Sequence, residues 1–348
     1  MDQFPTLKSY LEGWAGEDVH REAVAETITA IADGSRIIAG IISAGPLAPK
    51  IEAETSVNSD GDAQKDLDVI ANDILIDALW SAPVSYVLSE ELEKPAAIRA
   101  FEPLYVALDP LDGSSNIDTN VSIGTIFSIL PMSQKADGDN EPDLLQPGVN
   151  QLAAGYVIYG PQTAMVLTVG AGTQIFTMDP KDGEFRLTGR DISVKPTTNE
   201  FAINASNFRH WDRHVRSYVD DCLDGEAGPR NQNFNMRWIA SLVAEAHRIL
   251  SRGGIFLYPG DTRENYSAGR LRLVYEANPI AFLIEEAHGS ATTGLQDIQR
   301  IEPTSLHQRV PLIFGSKTEV ERVERYYTEL HPVGDRSPLF SQRGLFRS

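Results

Sequence analysis

Two segments near the N-terminus carry apolar residues about every 3.6 positions, the spacing of a helix that buries one face. The pattern predicts a helix over 18–44, which ends at Gly45-Pro46, and a second helix over about 66–80. The segment 52–65 between them is polar and contains a glycine, which indicates a loop. The N-terminal part is therefore predicted to contain two half-buried helices joined by a polar connection.

After the second helix the pattern changes to short runs rich in β-branched and aromatic residues, separated by Gly, Pro and Asp. Two helices followed by many consecutive strands predict a largely antiparallel sheet backed by helices. The predicted strands are Val84–Leu88, Tyr105–Leu108, Ser122–Leu130, Ala154–Tyr159, Ala164–Val169, Gln174–Met178 and Phe185–Leu187.

From about residue 200 helical and strand-like patterns alternate, so the fold class is predicted to be α/β (α+β). We expect an N-terminal domain over 1–198 and a C-terminal α/β domain over 199–348. The predicted elements of the second are helices over Asp212–Leu223, Trp238–Ser251, Asn278–Ala287 and Thr318–Leu330, and strands over Gly254–Tyr258 and Pro311–Phe314.

Acidic residues outnumber basic residues by 49 to 30, and the formal net charge is −19. This excess opposes binding to nucleic acid or to an anionic membrane. An enzyme this acidic that handles phosphates would need cations to neutralise both partners. We therefore expect neither nucleic acid nor a membrane as a partner.

The sequence also bears on localisation. Its single cysteine, Cys222, excludes a disulfide within the chain and fits a reducing compartment. The first ten residues lack the basic start and apolar run of a secretory signal. No stretch approaches the ~18 continuous apolar residues of a membrane span. We expect a soluble, cytoplasmic protein in which Cys222 packs in the interior.

The strongest candidate for chemistry is the segment Asp109–Asn116, which follows the strand predicted over Tyr105–Leu108. Pro110 fixes φ, so Asp109 and Asp112 can converge on one hard cation, with the Leu111 carbonyl as a further oxygen ligand. A plain Asp-Gly turn with capping serines is the alternative, but the complete octapeptide after a strand favours a site. Backbone N–H groups and hydroxyls that could hold a phosphate come from Gly113, Ser114, Ser115 and Asn116.

Further acids could join this segment. Glu90 and Glu91 follow the strand Val84–Leu88, where adjacent like charges are unfavourable unless water or a cation screens them. Glu276 precedes a helix opened by Asn278-Pro279, and its alternative role is that of a helix cap. Asp62 and Asp68 lie where the polar loop meets the second helix.

At these residues the chain resembles a known family. The segment Asp109–Asp118 resembles the metal motif of the class I fructose-1,6-bisphosphatases, which belong to the inositol-monophosphatase-like superfamily of metal-dependent phosphatases. The superfamily pattern ends near Ser114, and the extension to Asp118 is specific to the bisphosphatases. The resemblance spans about residues 20–330 and includes the segments 121–127, 145–148, 153–156, 253–259, 270–279 and 307–309.

The resemblance implies roles for individual residues. The implied ligands of Mg²⁺ (two or more ions per subunit, with Mn²⁺ possible) are Glu90, Asp109, Asp112, Glu276 and the carbonyl of Leu111. Glu91 is the implied base for the attacking water, assisted by Asp68 and Asp62. The implied contacts to the substrate are Asp112, Gly113, Ser114 and Ser115 at the 1-phosphate, and Asn204, Tyr258, Arg270 and Arg237 at the sugar and 6-phosphate.

The resemblance also implies a layered α-β-α-β-α fold with a largely antiparallel N-terminal sheet and a mixed C-terminal sheet. The implied reaction is hydrolysis of the 1-phosphate of D-fructose 1,6-bisphosphate, in gluconeogenesis or the Calvin cycle. The implied assembly is a homotetramer in which Arg237 reaches the 6-phosphate bound by a neighbouring subunit. A surface arginine paired with a carboxylate is the alternative for Arg237.

Several positions depart from the family pattern. Asn204–Asn207 stands where the family often has Asn-Glu-Gly-Tyr, Trp238 replaces a common Tyr, and Arg270 replaces a common Lys. These changes leave open a sedoheptulose-1,7-bisphosphatase or a dual-specificity enzyme. The retained arginines argue against an inositol-type monophosphatase. A non-catalytic sugar-phosphate sensor would be expected to lose a metal carboxylate, and none is lost.

The positions that bind the inhibitor AMP in sensitive family members are also replaced. They read Ala15–Asp18, Pro103-Leu104 and Pro131 here, and acids and prolines cannot hold a phosphate. We predict that AMP does not inhibit through this site, which a titration of activity with AMP would test. Inhibition that mutagenesis maps to residues 15–30 or 103–131 would contradict the prediction.

Overall fold

The computed structural model describes residues 4–48, 66–132 and 144–329. Three helices precede the first sheet, and four more alternate with the strands of the second half. Between β12 and α6, both bounded below, residues Leu273–Ala277 form a single wide π-helical turn. The helices are α1 Leu7–Ala15, α2 Val19–Ala44, α3 Asp66–Leu79, α4 Arg213–Leu223, α5 Leu242–Arg252, α6 Asn278–Glu286 and α7 Lys317–Thr328.

The first half of the chain builds one eight-stranded sheet in the order β2-β1-β3-β4-β5-β6-β7-β8. Only β1 and β3 run parallel, and every other neighbouring pair is antiparallel. The largely antiparallel N-terminal sheet is therefore confirmed. Its strands are β1 Val84–Ser89, β2 Ala96–Ala97, β3 Leu104–Asp112, β4 Ile123–Pro131, β5 Ala153–Tyr159, β6 Thr163–Thr168, β7 Thr173–Met178 and β8 Phe185–Ile192.

The second half builds a mixed five-stranded sheet in the order β10-β9-β11-β15-β13. Its first three strands run parallel, whereas β15 runs antiparallel to both of its neighbours. A separate short pair joins β12 and β14. The bounds are β9 Glu200–Ile203, β10 Asn235–Met236, β11 Ile255–Tyr258, β12 Leu271–Arg272, β13 Ser290–Thr292, β14 Arg309–Val310 and β15 Leu312–Gly315.

Three apolar clusters arrange these elements in five layers. The first joins α1, α2 and α3 to one face of the N-terminal sheet. The second places α5 and α6 between the two sheets, and the third packs α4 and α7 on the outer face of the C-terminal sheet. The order α-β-α-β-α is as predicted. The proposed domain boundary near residue 198 lies between β8 and β9 and stays a prediction.

Helix α2 and the turn after it, Val19–Leu47, are long and apolar enough to cross a membrane. In this fold α2 contributes Ile28, Ile31 and Ile38 to the first apolar cluster, where they are fully buried. A core helix passes the same length and composition test, so its apolar face is explained by packing on the sheet.

Some boundaries differ from the predictions for local reasons. The helix predicted over Trp238–Ser251 begins only at Leu242, because Ser241 caps it and Ala240 adopts a left-handed conformation with φ 62°. The strand predicted over Tyr105–Leu108 continues to Asp112. Helix α1 and the short strands β2, β9, β10, β12, β13 and β14 were not predicted, since each is too short for a periodic pattern to emerge.

Gly124 on β4 lets α5 lie close to the first sheet. A Cβ atom at this position would lie 2.4 Å from the carbonyl oxygen of Val157 and 2.7 Å from Cγ2 of Val243. Gly124 also pairs with Asp112 across β3 and β4. The absence of a side chain here therefore brings the start of α5 to the end of β3.

We predict that Gly124→Ala lowers the free energy of unfolding by about 1–3 kcal/mol, because the new methyl group overpacks the contact. Urea denaturation would measure the change. Gly13→Ala in α1 is the matched control, since a Cβ there meets nothing within 4 Å and its effect should be neutral or stabilising by up to about 1 kcal/mol. Equal stability of Gly124→Ala and the parent would contradict the prediction.

Candidate metal and phosphate site

The candidate site forms where β3 bends. The pairing of β3 with β4 shifts between Asp109 and Asp112, so three residue steps on β3 match two on β4. Pro110 lies inside this bulge and has no N–H to donate to the ladder. The Leu111 N–H donates to Oδ1 of Asp109 at 3.0 Å. The bulge brings Asp109 and Asp112 to the same cavity at one edge of the sheet.

Helix α5 orients Asp112. The Ser241 hydroxyl donates to Oδ2 of Asp112 at 3.0 Å, and the Val243 N–H donates to the same oxygen at 2.9 Å. Ser241 also caps α5, because its Oγ accepts from the N–H of Ala244. The N-terminus of a helix favours negative charge, so α5 holds the Asp112 carboxylate in one orientation.

Glu276 joins the two aspartates from the other half of the chain. It lies in the π-helical turn before α6, a wide turn that projects a side chain differently from an α-helix. Candidate ligand atoms of Asp109, Asp112 and Glu276 lie within 4.8 Å of one another, and all three residues are buried. Three buried carboxylates this close suit a hard divalent cation.

Glu90 completes the acidic group. It follows β1, which runs parallel to β3, so the carboxyl ends of both strands meet at one edge of the sheet. Arg272 on β12 lies against Glu90, with Nη1 2.6 Å from Oε1. The backbone N–H of Arg272 donates to Oε2 of Glu276. Arg272 therefore ties the two glutamates together.

The sequence predictions missed Arg272 as a site residue. The available signal was the alternation Arg270-Leu271-Arg272, which places both arginines on one face of a strand. Arg272 also lowers the pKa of Glu90 and Glu276 against the other influences on them. Its guanidinium therefore offsets part of the negative charge of these carboxylates.

Burial and mutual repulsion shift the pKa values of these acids upward. Desolvation, followed by the charge of Glu276, raises the pKa of Glu90 to about 8. Desolvation raises the pKa of Glu276 to about 7, opposed mainly by Arg272. Desolvation also raises the pKa of Asp109 and of Asp112. The cluster is unfavourable when fully ionised unless a cation compensates the charge.

A cavity of about 440 Å³ opens on this cluster. It brings together every described residue that was predicted for the site, with the exceptions of Arg237 and Asn116. Asp62 lies outside the described residues. The predicted residues that line the cavity are Asp68, Glu90, Glu91, Asp109, Leu111, Asp112, Gly113, Ser114, Ser115, Asn204, Tyr258, Arg270 and Glu276.

The phosphate-holding part of the cavity begins at Gly113. This residue adopts φ 76°, a left-handed conformation that glycine takes without strain. The chain then turns into the short 3₁₀ helix Ser114–Thr119. Ser114 and Ser115 line the cavity beside Asp112. Their backbone N–H groups and hydroxyls lie next to the carboxylate cluster, as an anion bridged to a metal would require.

Arg237 lies outside the cavity lining. It follows the edge strand β10, is about half exposed, and has its Nε 3.6 Å from Oε1 of Glu200. Within one subunit it is thus a surface arginine beside a carboxylate, the alternative weighed from the sequence. Its role in a neighbouring subunit stays a prediction.

The pKa shifts predict how a divalent cation acts on stability. Because the folded-state pKa values of Glu90 and Glu276 lie above the ordinary 4.5, the metal-free protein should lose stability as pH rises from 4.5 to about 8. A bound cation favours ionised carboxylates, so its stabilising effect should grow over the same range.

We expect Mg²⁺ to raise the melting temperature more at about pH 8 than at about pH 6. Differential scanning fluorimetry with and without Mg²⁺ would measure the difference, with NaCl at matched ionic strength as the control. Equal increments at both pH values would contradict the prediction.

Comparison with known proteins identifies the family to which a chain with this site belongs. Residues 12–190 match the family model for the N-terminal domain of fructose-1-6-bisphosphatase, and residues 194–328 match the model for its C-terminal domain. The "Fructose-1,6-bisphosphatase class 1 1" of Xanthobacter autotrophicus is 54% identical over 341 residues, covering 98% of this chain and 92% of that protein. The "Fructose-1,6-bisphosphatase class 1" of Sinorhizobium medicae is 52% identical and covers 99% of both chains.

A solved structure of a protein with the same name has the same fold. The crystal structure of Leishmania major fructose-1,6-bisphosphatase in holo form superimposes with a TM-score of 0.86 at 32% sequence identity. The match covers 94% of this chain and 100% of that chain. By sequence along nearly its whole length and by fold, this chain belongs to the class 1 fructose-1,6-bisphosphatase family.

Proposed function

We propose that this chain hydrolyses the 1-phosphate of fructose 1,6-bisphosphate, giving fructose 6-phosphate and inorganic phosphate. The observation that carries the proposal is one cavity lined by the carboxylate cluster and by Arg270, and Arg270 lies at the end where the cavity adjoins a smaller pocket that none of those carboxylates lines. A molecule with two phosphates suits these two ends, because one phosphate can meet bound metal and the other a guanidinium. The similar proteins from X. autotrophicus and S. medicae carry the corresponding name.

The family is metal-dependent, and the residues at the carboxylate end fit a divalent cation by charge, burial and donor type. Asp109, Asp112, Glu276, Glu90 and the Leu111 carbonyl would hold Mg²⁺, with two or more ions per subunit and Mn²⁺ as an alternative. When bound, such ions polarise phosphoryl oxygens and lower the pKa of water.

Glu91 is the proposed base for the attacking water. Its N–H donates to the hydroxyl of Ser89 at 3.3 Å, and that hydroxyl donates to Oδ1 of Asn72 at 2.7 Å. Asn72 lies one helical turn after Asp68 on α3, and both are buried. These contacts hold the Glu91 turn against the helix that supplies Asp68. Asp68 and Asp62 are proposed to assist in accepting the proton.

The reaction needs in-line geometry and charge stabilisation. Water attacks phosphorus, its proton passes to Glu91, the bond from phosphorus to O1 breaks, and O1 takes up a proton. Asp112, Gly113, Ser114 and Ser115 are proposed to hold the reacting phosphate. Arg272 lies beside Glu90 and can stabilise the charge on the same phosphate.

The second phosphate is proposed to bind at the other end of the cavity. Asn204, Tyr258 and Arg270 line this end, and binding energy there can orient the reacting phosphate. We further propose a homotetramer in which Arg237 reaches the 6-phosphate of a neighbouring subunit. The exposure of Arg237 leaves it accessible for that contact.

The cellular role follows from the reaction class. We propose a cytoplasmic enzyme of carbohydrate metabolism that acts in gluconeogenesis. The single cysteine is buried and takes part in no disulfide within the chain, which fits a reducing compartment. A role in the Calvin cycle uses the same reaction.

The alternative substrates and roles receive less support. The proteins compared above are named for fructose 1,6-bisphosphate, and no described contact favours a seven-carbon sugar or a dual specificity. A monophosphatase would not need the Arg270 end of the cavity. A non-catalytic sensor would not need all the acids retained at the carboxylate end, which are Glu90, Glu91, Asp109, Asp112 and Glu276.

We predict that Asp112→Asn lowers kcat for fructose 1,6-bisphosphate at least about a hundredfold, because it removes a metal carboxylate beside the reacting phosphate. A phosphate-release assay with Mg²⁺, repeated with a chelator, would measure this loss. Asp77→Asn is the matched control, since Asp77 is exposed on α3 and lies outside the cavity lining. Parent activity that survives chelation, or full activity of Asp112→Asn, would refute the mechanism.

A further inference from the structure

Arg270, which lines the cavity, lies against an aromatic ring that also contacts a second guanidinium group. The Cζ atom of Arg270 lies 3.8 Å from the centroid of the Tyr266 ring, and the Cζ atom of Arg263 lies 4.7 Å from it. The Tyr258 ring is more distant, 6.0 Å from the Cζ of Arg270. Tyr266 is therefore the closest aromatic contact of both cations, and none of the earlier site predictions included it.

The two arginines differ in how their charge is compensated. Arg263 forms an ion pair with Asp261, whose carboxylate accepts from Nε at 3.0 and 3.1 Å and from Nη2. Arg263 Nη2 also donates to Oδ1 of Asn207 at 3.0 Å. Arg263 is thus neutralised and fixed on both sides, so it serves as a support for the ring.

Arg270 has no carboxylate partner of this kind among the residues that the structure describes. It lines the cavity with Tyr258 and Asn204, and its guanidinium lies over the face of the Tyr266 ring. A guanidinium held on an aromatic face keeps its N–H groups free in its own plane. An anion in the cavity is the partner that such a group is prepared to bind.

Backbone hydrogen bonds fix the loop that carries Tyr266. Its carbonyl oxygen accepts from the N–H of Asp261 at 3.0 Å and from the N–H of Gly269 at 3.1 Å. The Thr262 N–H donates to the carbonyl of His210 at 3.0 Å. Tyr266 itself ends the 3₁₀ helix Glu264–Tyr266 and is half-buried. These contacts restrict where the ring can lie.

We propose that Tyr266 is a positioning residue that holds Arg270 for the non-reacting phosphate of the substrate. This inference rests on the proposed bisphosphate function. The proposal also gives Asn207 a role. The side chain of Asn207 accepts a hydrogen bond from Arg263 and does not line the cavity that holds the carboxylates. In this arrangement Asn207 supports Arg263, and Arg263 supports the Tyr266 ring. The ring in turn positions Arg270 for the second phosphate.

The test compares Tyr266→Leu, which removes the ring, with Tyr266→Phe, which keeps it. We expect Tyr266→Leu to raise KM for fructose 1,6-bisphosphate and Kd for fructose 6-phosphate about five- to tenfold, as loss of a partly desolvated cation–π contact would. Its kcat and the Mg²⁺ concentration for half-maximal activity should stay within about twofold, because the carboxylate end is unchanged. Tyr266→Phe should match the parent in all four quantities.

The outcomes separate this inference from the proposed function. A parent protein without chelator-sensitive release of phosphate would refute the function, while calorimetric binding of fructose 6-phosphate would still test Tyr266. An active parent with unchanged KM and Kd in Tyr266→Leu would overturn only the role of Tyr266. Equal losses in Tyr266→Leu and Tyr266→Phe would also overturn it. If Tyr266→Leu does not fold, Tyr266→Met keeps an apolar side chain without a ring and replaces it.

Discussion

Repulsion among buried carboxylates is the constraint on which this structure depends. Asp109, Asp112 and Glu276 are buried together, and the partly buried Glu90 lies beside them, so that three separate parts of the chain meet in one acidic group. Desolvation raises the pKa of each, and the charges of neighbouring carboxylates raise the pKa of Glu90, Asp109 and Glu276 further. The fold must hold them together against that repulsion, and it does so with the β3 bulge, the π-helical turn and the hydrogen bonds from α5 to Asp112.

The five-layer arrangement explains how such a group can be assembled. The N-terminal sheet provides the end of β3 and the end of β1, and these two strands are its only parallel pair. The middle helical layer provides the N-terminus of α5 and the turn before α6. Because that layer packs on both sheets, the carboxylates from the two halves of the chain are held at fixed separations. The Arg270 end of the cavity is then at a fixed distance from the metal end.

Much of this could be predicted from the sequence because the signals are local. An apolar strand that ends in Asp-Pro-Leu-Asp predicts carboxylates at a sheet edge, and a helical period predicts α2 and α3. Other features depend on distant partners. Arg272 lies against Glu90 from far along the chain, and Tyr266 contacts Arg270 through a loop without a periodic pattern. The left-handed φ of Ala240, which alanine does not favour, likewise accompanies a long-range contact, because Asn116 Nδ2 donates to the Ala240 carbonyl at 3.0 Å.

Ser241 links folding to reactivity through one oxygen atom. Its hydroxyl accepts from the first turn of α5 and donates to Asp112, so a mutant at this position changes helix initiation and active-site charge together. Position 241 thus serves helix initiation and carboxylate orientation at once, and this double role narrows the set of residues that could replace serine there.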